Sequence, residues 1–549
     1  MNRIFRNSLF VLAAGALVAA CADYNVTDNF DADPDPSRVE PYKDLAPVKS
    51  YIDRIKYPNM SLGATLKVTD FNKQELAHAA VVTNCDNVSF GSTLMSGSIV
   101  NAKGVMNFLD MSDLLSHVEE IDYEVYGSPI VANANQADEW LANLTAPIEV
   151  PVEYVQGKVS NFNDSTDFHG TIEKGSASIA QYDSQNTLKI GTAANVRIIE
   201  GFEVDPQAKY TTTFWAKVDK DASYTITFSG TKVDGNGSEG KWTLKPGKWT
   251  KVVVEAQSAA DVTDGYLRIE NTRSAVIYIQ KVDVGFYPDN HRQQTEKELK
   301  DTINYALQTW CDGLMKINAG RIKSFDLIDE ALDTKTELDN GMYDLKHSTE
   351  KIFWQDILGS ENYASVVSKV ASEKFAAHEG NPSELKFFIS ETGLENQKTF
   401  ESLRYWINIW DANGAKIDGI NAKLSLSYSE NPTTLDANMA TYEKLLDNLA
   451  LTGKFIRISN FDIKYQNAEG VNVSSSDITE SQRQNLANFY AYAIKSYMSM
   501  IPNDKQAGIC KGNLSDTSDP VGLWSIDSKS KDWVRTATYK AFCDALSGQ

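Results

Sequence analysis

The chain has 549 residues, 42% of them hydrophobic, and a formal net charge of −21. That length exceeds one ordinary domain and supplies apolar material for more than one core. The acidic balance excludes binding of nucleic acid or of an anionic membrane surface through bulk charge, and leaves a neutral partner such as a glycan compatible.

The N-terminus reads MNRIFRNSLFVLAAGALVAAC: Arg3 and Arg6, an apolar run, then small residues up to Cys21. This is the pattern of a secretory signal. Ala19 and Ala20 before Cys21 resemble a bacterial lipobox, which makes Cys21 the expected lipidated first residue. Residues 22–40 are acidic, contain proline and are poor in apolar side chains, the composition of a flexible tether. No other segment is apolar for long enough to span a bilayer, so membrane attachment is expected through the lipid alone. Cys85, Cys311, Cys510 and Cys543 are scattered without metal-type spacing and read as isolated buried thiols.

Two textures follow along the chain. Residues 41–149 and 291–549 mix helix-length amphipathic runs with short apolar strands, as in KELKDTINYALQTWCDGLMKI before IKSFDLI, and MATYEKLLDNLALTG before KFIRISNFDI. Helix and strand in alternation predict an α/β fold with a parallel sheet. Residues 150–290 are instead rich in Thr, Val, Gly, Ser and Lys, with short alternating stretches such as YTTTFWAKVD, SYTITFSG and WTKVVVEA. That pattern predicts an all-β sandwich interrupting the α/β domain.

The segments VKSYIDRIKYPNMSLGATL, YGSPIVANANQADEWLANLTAP, SFDLIDEALDT, LKFFISETGLE, KIDGINAKLSLSY, KFIRISNFDI and PVGLWSID fall in the order of the strand-end motifs of glycoside hydrolase family 10, the xylanases, which the chain resembles. The resemblance implies a (β/α)8 TIM barrel whose strand ends form the ligand face. It also implies that the β-rich insert is a carbohydrate-binding module of the family 4 or 22 type. Retaining glycosidases need two carboxylates, a general acid/base and a nucleophile. By the resemblance, Glu330 in FDLIDEA stands at the acid/base position, and Asp329 replaces a sugar-binding Asn beside it. Asn460 in ISNFDI stands at the nucleophile position, where an amide cannot attack. Asp462 lies two residues on, which strand periodicity would turn to the same face. It and Glu391 in FFISETG are the conceivable substitute carboxylates.

The surrounding positions depart from the family as well. Ser128, Ala132 and Asn133 stand for His, Trp and His; Ser92 and Met95 for Asn and Lys. Lys423 and Ser425 stand for Gln and His, and Gly512 for a Trp that roofs the site. Trp524 remains as a candidate platform. In the insert, Trp242 and Trp249 are the leading glycan-stacking candidates, Tyr182, Tyr210 and Tyr224 are possible platforms, and the alternation of FWAK assigns Trp215 to the core.

No cofactor and no metal are expected. The favoured reading is a non-catalytic, lipid-anchored glycan-binding protein at the surface of a bacterial outer membrane. It would hold a polysaccharide or oligosaccharide, xylan or a related plant glycan, beside an outer-membrane importer, with no nucleic acid partner. Two alternatives stay open. One is a divergent active endo-β-1,4-xylanase using Glu330 with Asp462 or Glu391. The other is a structural subunit of a glycan-uptake complex.

Overall fold

A computed structural model describes residues 42–271, 275–527, 529 and 531–548. The signal segment, Cys21 and the tether at 22–40 lie outside the described residues. The chain divides into two compact units, residues 147–294 and the remainder on either side. No described helix is long and apolar enough to cross a membrane.

The larger unit is a closed parallel barrel. Its strands are β1 (Leu62–Thr65), β2 (Asn87–Ser89), β3 (Glu124–Gly127), β4 (Ser324–Asp329), β5 (Lys386–Thr392), β6 (Gly419–Lys423), β7 (Phe455–Ser459) and β8 (Gln506–Lys511). Neighbours pair in the order β5, β6, β7, β8, β1, β2, β3, β4, and β4 returns to β5 through Phe325 opposite Phe387. All of these pairings are parallel, which requires a crossover between successive strands. The strands are buried on both faces because the barrel interior and the outer helices both cover them: Phe325–Asp329 and Phe387–Glu391 are buried throughout.

The helices bury one stripe each. In Glu296–Asn318 the buried positions Ile303, Ala306, Leu307, Trp310, Cys311 and Leu314 recur three and four residues apart. A capping box between Thr295 and Glu298 fixes its start. This helix precedes β4, and Pro432–Ala450 precedes β7, as the helix-then-strand pattern in the sequence predicts. The four cysteines of the fold are buried free thiols.

The insert occupies the crossover between β3 and β4. It is a sandwich of two antiparallel sheets. One runs Thr250–Ala256, Tyr210–Val218, Ile277–Phe286, Gln185–Ile190, Ala177–Tyr182, with Val155–Ser160 pairing the far part of 277–286. The other runs Thr231–Val233, Ala222–Phe228, Asp264–Asn271, Asn195–Glu203, Ile172–Lys174. Inward side chains such as Phe214, Ile226, Leu267 and Val282 form its own core. Alternation also corrects one expectation. Phe214 and Ala216 point inward, so the period of two sends Trp215 outward, where it is 43% exposed. The sandwich begins and ends in a two-stranded ribbon, Ile148–Glu149 against His291–Arg292.

Candidate functional site

The strand ends carry most of the residues singled out by the resemblance, and the contacts join them in two groups, Asp329 and Glu330 with Lys423, and Asp462 with Lys511 beside Gly512. Glu330 follows β4 and Asn460 follows β7, and both adopt left-handed backbone, with φ of 48° and 50°. Such a conformation is uncommon for a residue with a Cβ and concentrates at functional positions, where the surroundings over-determine it. At Glu330 the backbone N–H donates to the Ser390 carbonyl at 2.8 Å, and the Lys346 ammonium donates to the Glu330 carbonyl at 2.6 Å.

The side chains at this mouth are matched with one another. The Lys423 ammonium, at the end of β6, lies 2.6 Å from Asp329 Oδ1 and 2.8 Å from Glu330 Oε1. Burial pushes the Glu330 carboxyl up, but the Lys423 ammonium outweighs it and holds the group below the ordinary carboxylate value. A general acid needs the opposite shift. Burial alone would lower the Lys423 ammonium, yet its two carboxylate partners raise it, so it stays charged.

Asn460 is exposed, and the strand ends at Ser459 just before it. The left-handed turn at Asn460 breaks the period of two, so Asp462 is not carried to a common face by strand geometry. Asp462 is instead neutralised: Lys511 Nζ lies 2.5 Å from Oδ1, and Asn513 Nδ2 donates to Oδ2 at 2.7 Å. Lys511 is fully buried, and its ammonium also donates to the Phe461 and Val521 carbonyls at 2.8 Å and to Tyr490 Oη at 3.1 Å. A carboxylate clamped in this way is a poor substitute nucleophile. Gly512 belongs to the same arrangement. A Cβ there would stand 2.6 Å from Asp462 Oδ2, so no roofing Trp fits while the Asp462–Lys511 pair is in place.

Glu391 is 3% exposed and accepts backbone N–H groups from Leu332 and Thr392 at 3.1 and 3.0 Å. Burial pushes its carboxyl up to about 7, which suits a structural group satisfied by main chain more than a nucleophile that must reach a sugar. Trp524 corrects another expectation: it is 1% exposed, packed against Trp533 and Tyr539, and offers no open face. Ala132, Asn133 and Met95 are buried, and Asn133 Oδ1 accepts from Gln355 at 3.2 Å. Ser128 donates to the Gly91 carbonyl at 2.8 Å, and the Ser425 N–H donates to Glu395 at 2.6 Å. Several of the matched positions, Ser128, Asn133 Oδ1 and the Ser425 N–H, are thus engaged by contacts within the protein.

Sequence reasoning missed the polar network inside the barrel. Asp326 accepts from Tyr126 Oη at 2.7 Å and from Asn421 Nδ2 at 3.1 Å, and the Arg457 guanidinium stacks 3.9 Å from the Tyr126 ring centre. Burial pushes the Asp326 carboxyl up to about 6. Charged residues within the short runs FDLID and FIRIS were the available signal.

In the insert, Trp242 is half-buried against the sandwich core and donates from Nε1 to the Val233 carbonyl at 3.2 Å, so it is tied into the fold. Trp249 is half-buried and meets the edge of Tyr182, 6.3 Å between ring centres. Tyr210 and Tyr224 are core residues, with no exposed ring face.

Comparison with known proteins follows this geometry. Residues 287–519 match the family model described as glycosyl hydrolase family 10. No curated protein matches the chain by sequence. Among solved structures, xylanase B from Clostridium stercorarium F9 is similar at 11% identity with a TM-score of 0.51, covering 91% of this chain and 100% of that one. Xylanase XynB from Paenibacillus barcinonensis, complexed with a conduramine derivative, is similar at 8% identity with a TM-score of 0.51, covering 91% of this chain and 98% of that one. At these identities the likeness to the solved structures is one of fold. The eight-stranded closure is that of a (β/α)8 barrel, and the part of the chain from 287 to 519 is similar to the glycosyl hydrolase family 10 model.

Proposed function

We propose that this protein is a surface-anchored lipoprotein that binds a plant polysaccharide, xylan or a relative of it, without cleaving it. The observation that carries the reading is the state of the two catalytic positions. An amide, Asn460, stands where the family's nucleophile would be, and Glu330 is held ionised by Lys423. Double displacement needs a carboxylate to attack and a protonated carboxyl to release the leaving group. Here the first is missing and the second is biased towards the wrong protonation state. The lipobox-like Cys21 supplies the anchor in this reading, and an outer-membrane importer is the natural recipient of the held glycan.

Three measurements test it. Purified protein should release no reducing ends from xylan yet be retarded in a native gel containing soluble polysaccharide. Hydrolysis that disappears in Glu330→Gln would establish an enzyme instead. For the anchor, Cys21→Ala should move the protein from membrane to soluble fractions, and unchanged partitioning would sink the lipoprotein.

A further inference from the structure

We infer that the outer face of one sandwich sheet is an elongated track for a neutral glycan chain running along the strand Ile277–Phe286. This deepens the glycan-binding reading above and rests on it. Tyr278, Gln280, Asp283 and Gly285 of that strand stand opposite Lys217, Trp215, Thr213 and Thr211 of the neighbouring strand, on the face away from the core. Three aromatic stations lie along it. At one end Tyr278 stacks on Tyr182, with ring centres 3.8 Å apart and planes 10° apart, and Trp249 closes against the edge of Tyr182. Trp215 stands in the middle beside Gln280. At the other end Tyr154 and Tyr287 meet at 5.3 Å, 39% and 60% exposed. Gly285 makes room there, since a Cβ would come within 2.3 Å of the Tyr154 ring.

The chemistry between the stations selects the ligand. Asp283 is approached by Tyr154 Oη at 3.5 Å and by Gln156 Nε2 at 3.3 Å. With Gln280 these groups offer donors and acceptors suited to hydroxyls. Several charges pair, Lys217 with Asp183, Lys281 with Asp283 at 3.6 Å, and Lys209 with Glu255 at 2.7 Å, while Lys251 opposite Trp215 and Lys189 opposite Tyr278 are exposed. The exposed aromatic rings, Trp215, Tyr154 and Tyr287, are what select a neutral, ring-shaped ligand, and the exposed lysines between them can donate to its hydroxyls. Exposed rings with interleaved hydrogen-bonding groups fit the apolar and hydroxyl faces of successive pyranoses. Tyr278 to Tyr287 is nine residues of nearly extended chain, roughly 25–30 Å at about 3.3 Å per residue, which spans several sugars rather than one.

The test uses the whole protein with soluble xylan, a mixed-linkage β-glucan, and xylo- and cello-oligosaccharides from disaccharide to hexasaccharide, by calorimetry and native gel retardation. The track requires affinity to rise with chain length up to the longest oligosaccharide. It also requires Trp215→Ala, Tyr278→Ala and Tyr287→Ala each to weaken binding of the long chain by about 5- to 10-fold. All three residues lie on the surface, so melting temperatures should hold, and Leu451→Ser, at an exposed helix end of the barrel outside the candidate site, should leave binding unchanged. Undiminished binding in the three sheet variants, with loss in Asn460→Ala, overturns the track and leaves glycan binding to the barrel. A wild-type protein that binds none of the polysaccharides overturns the glycan-binding reading and the track together. Variants that alter self-association but not glycan affinity would assign the face to contact between copies and overturn the track.

Discussion

The mouth of the barrel and the outer face of the sandwich sheet hold the same kinds of side chain, carboxylates, lysines, amides and aromatics, arranged to opposite effect. At the barrel mouth the polar groups are turned on one another, Lys423 on Asp329 and Glu330, and Lys511 on Asp462. Its one retained Trp candidate, Trp524, lies in the core. On the sheet several charges are paired too, but Trp215, Tyr154 and Tyr287 keep open ring surface. The difference separates two meanings of a polar cluster. Where each partner is satisfied and buried, the cluster serves folding and resists a ligand. Where pairing leaves apolar faces in solvent, the surface is still able to bind.

The largest expected effect breaks the barrel half of that comparison. Lys511→Met leaves Asp462 without its counter-ion and strips the Phe461 carbonyl of the Lys511 donor, while the Val521 carbonyl keeps Tyr490 Oη and Tyr490 Oη keeps the Ile463 N–H; the loss should cost about 3–5 kcal/mol of barrel stability. Chemical denaturation should show the loss in the barrel transition, with retention on polysaccharide gels intact below that transition. A barrel as stable as the wild type would mean that the buried ion pair is not what organises the strand end. Next comes repair. Asn460→Glu alone, and Asn460→Glu with Lys423→Gln, should both stay below detectable xylan hydrolysis. Each missing transition-state donor costs roughly 100- to 1,000-fold, and Ala132, Met95 and Gly512 cannot supply the missing contacts. Robust turnover by either variant would show a cleft still arranged for chemistry.

A smaller effect concerns charge. Lys423→Gln should raise the Glu330 pKa above its present depressed value, because burial is then less opposed. A carbon-detected NMR titration reads this directly, and an unmoved Glu330 would assign its ionisation to Lys346 instead. The smallest effect lies on the outer helices. His78 and His117 share one hydrogen bond between their Nε2 atoms at 2.8 Å, packed by Phe71, with Gln74 on His117 Nδ1 and Glu120 4.0 Å from it. Burial, helped by His117, lowers His78 to about 4. A depressed histidine contributes its stability above the unfolded value near 6.5 and loses it as pH falls towards 4. His78→Gln should remove about 1–2 kcal/mol of that acid sensitivity, discounted for partial exposure. An unchanged acid limb of the stability profile would rule the pair out.

Much of the fold was legible because burial on both faces writes itself as apolar runs. FFIS and FDLI could only be interior parallel strands once helices flanked them, and the insert announced itself by a change of period. The site was legible only as positions. That Asn460 and Glu330 lie at strand ends follows from the family order of motifs. That Lys423 and Lys511 neutralise their neighbours does not, because side chains from different strands meet only when the barrel closes. Asp462 shows the limit of periodicity: one left-handed residue at Asn460 ends the strand and with it the inference. Trp215 shows the reverse, since the alternation was visible in the sequence and the assignment to the core chose the wrong face.

The ribbon that joins Ile148–Glu149 to His291–Arg292 bears on how the chain assembles. Strand β3 ends at Gly127 and β4 begins at Ser324, so the nascent barrel must hold its first three strands waiting while the whole insert is synthesised. A folded sandwich with its ends pinned together shortens the loop that remains to be closed, from nearly two hundred flexible residues to about a quarter of that. On logarithmic loop-closure entropy this lowers the cost of β3–β4 pairing by about 1 kcal/mol. Refolding should therefore be sequential, the insert first and barrel closure after it, and a destabilised insert should slow the closing of a barrel whose own residues are untouched.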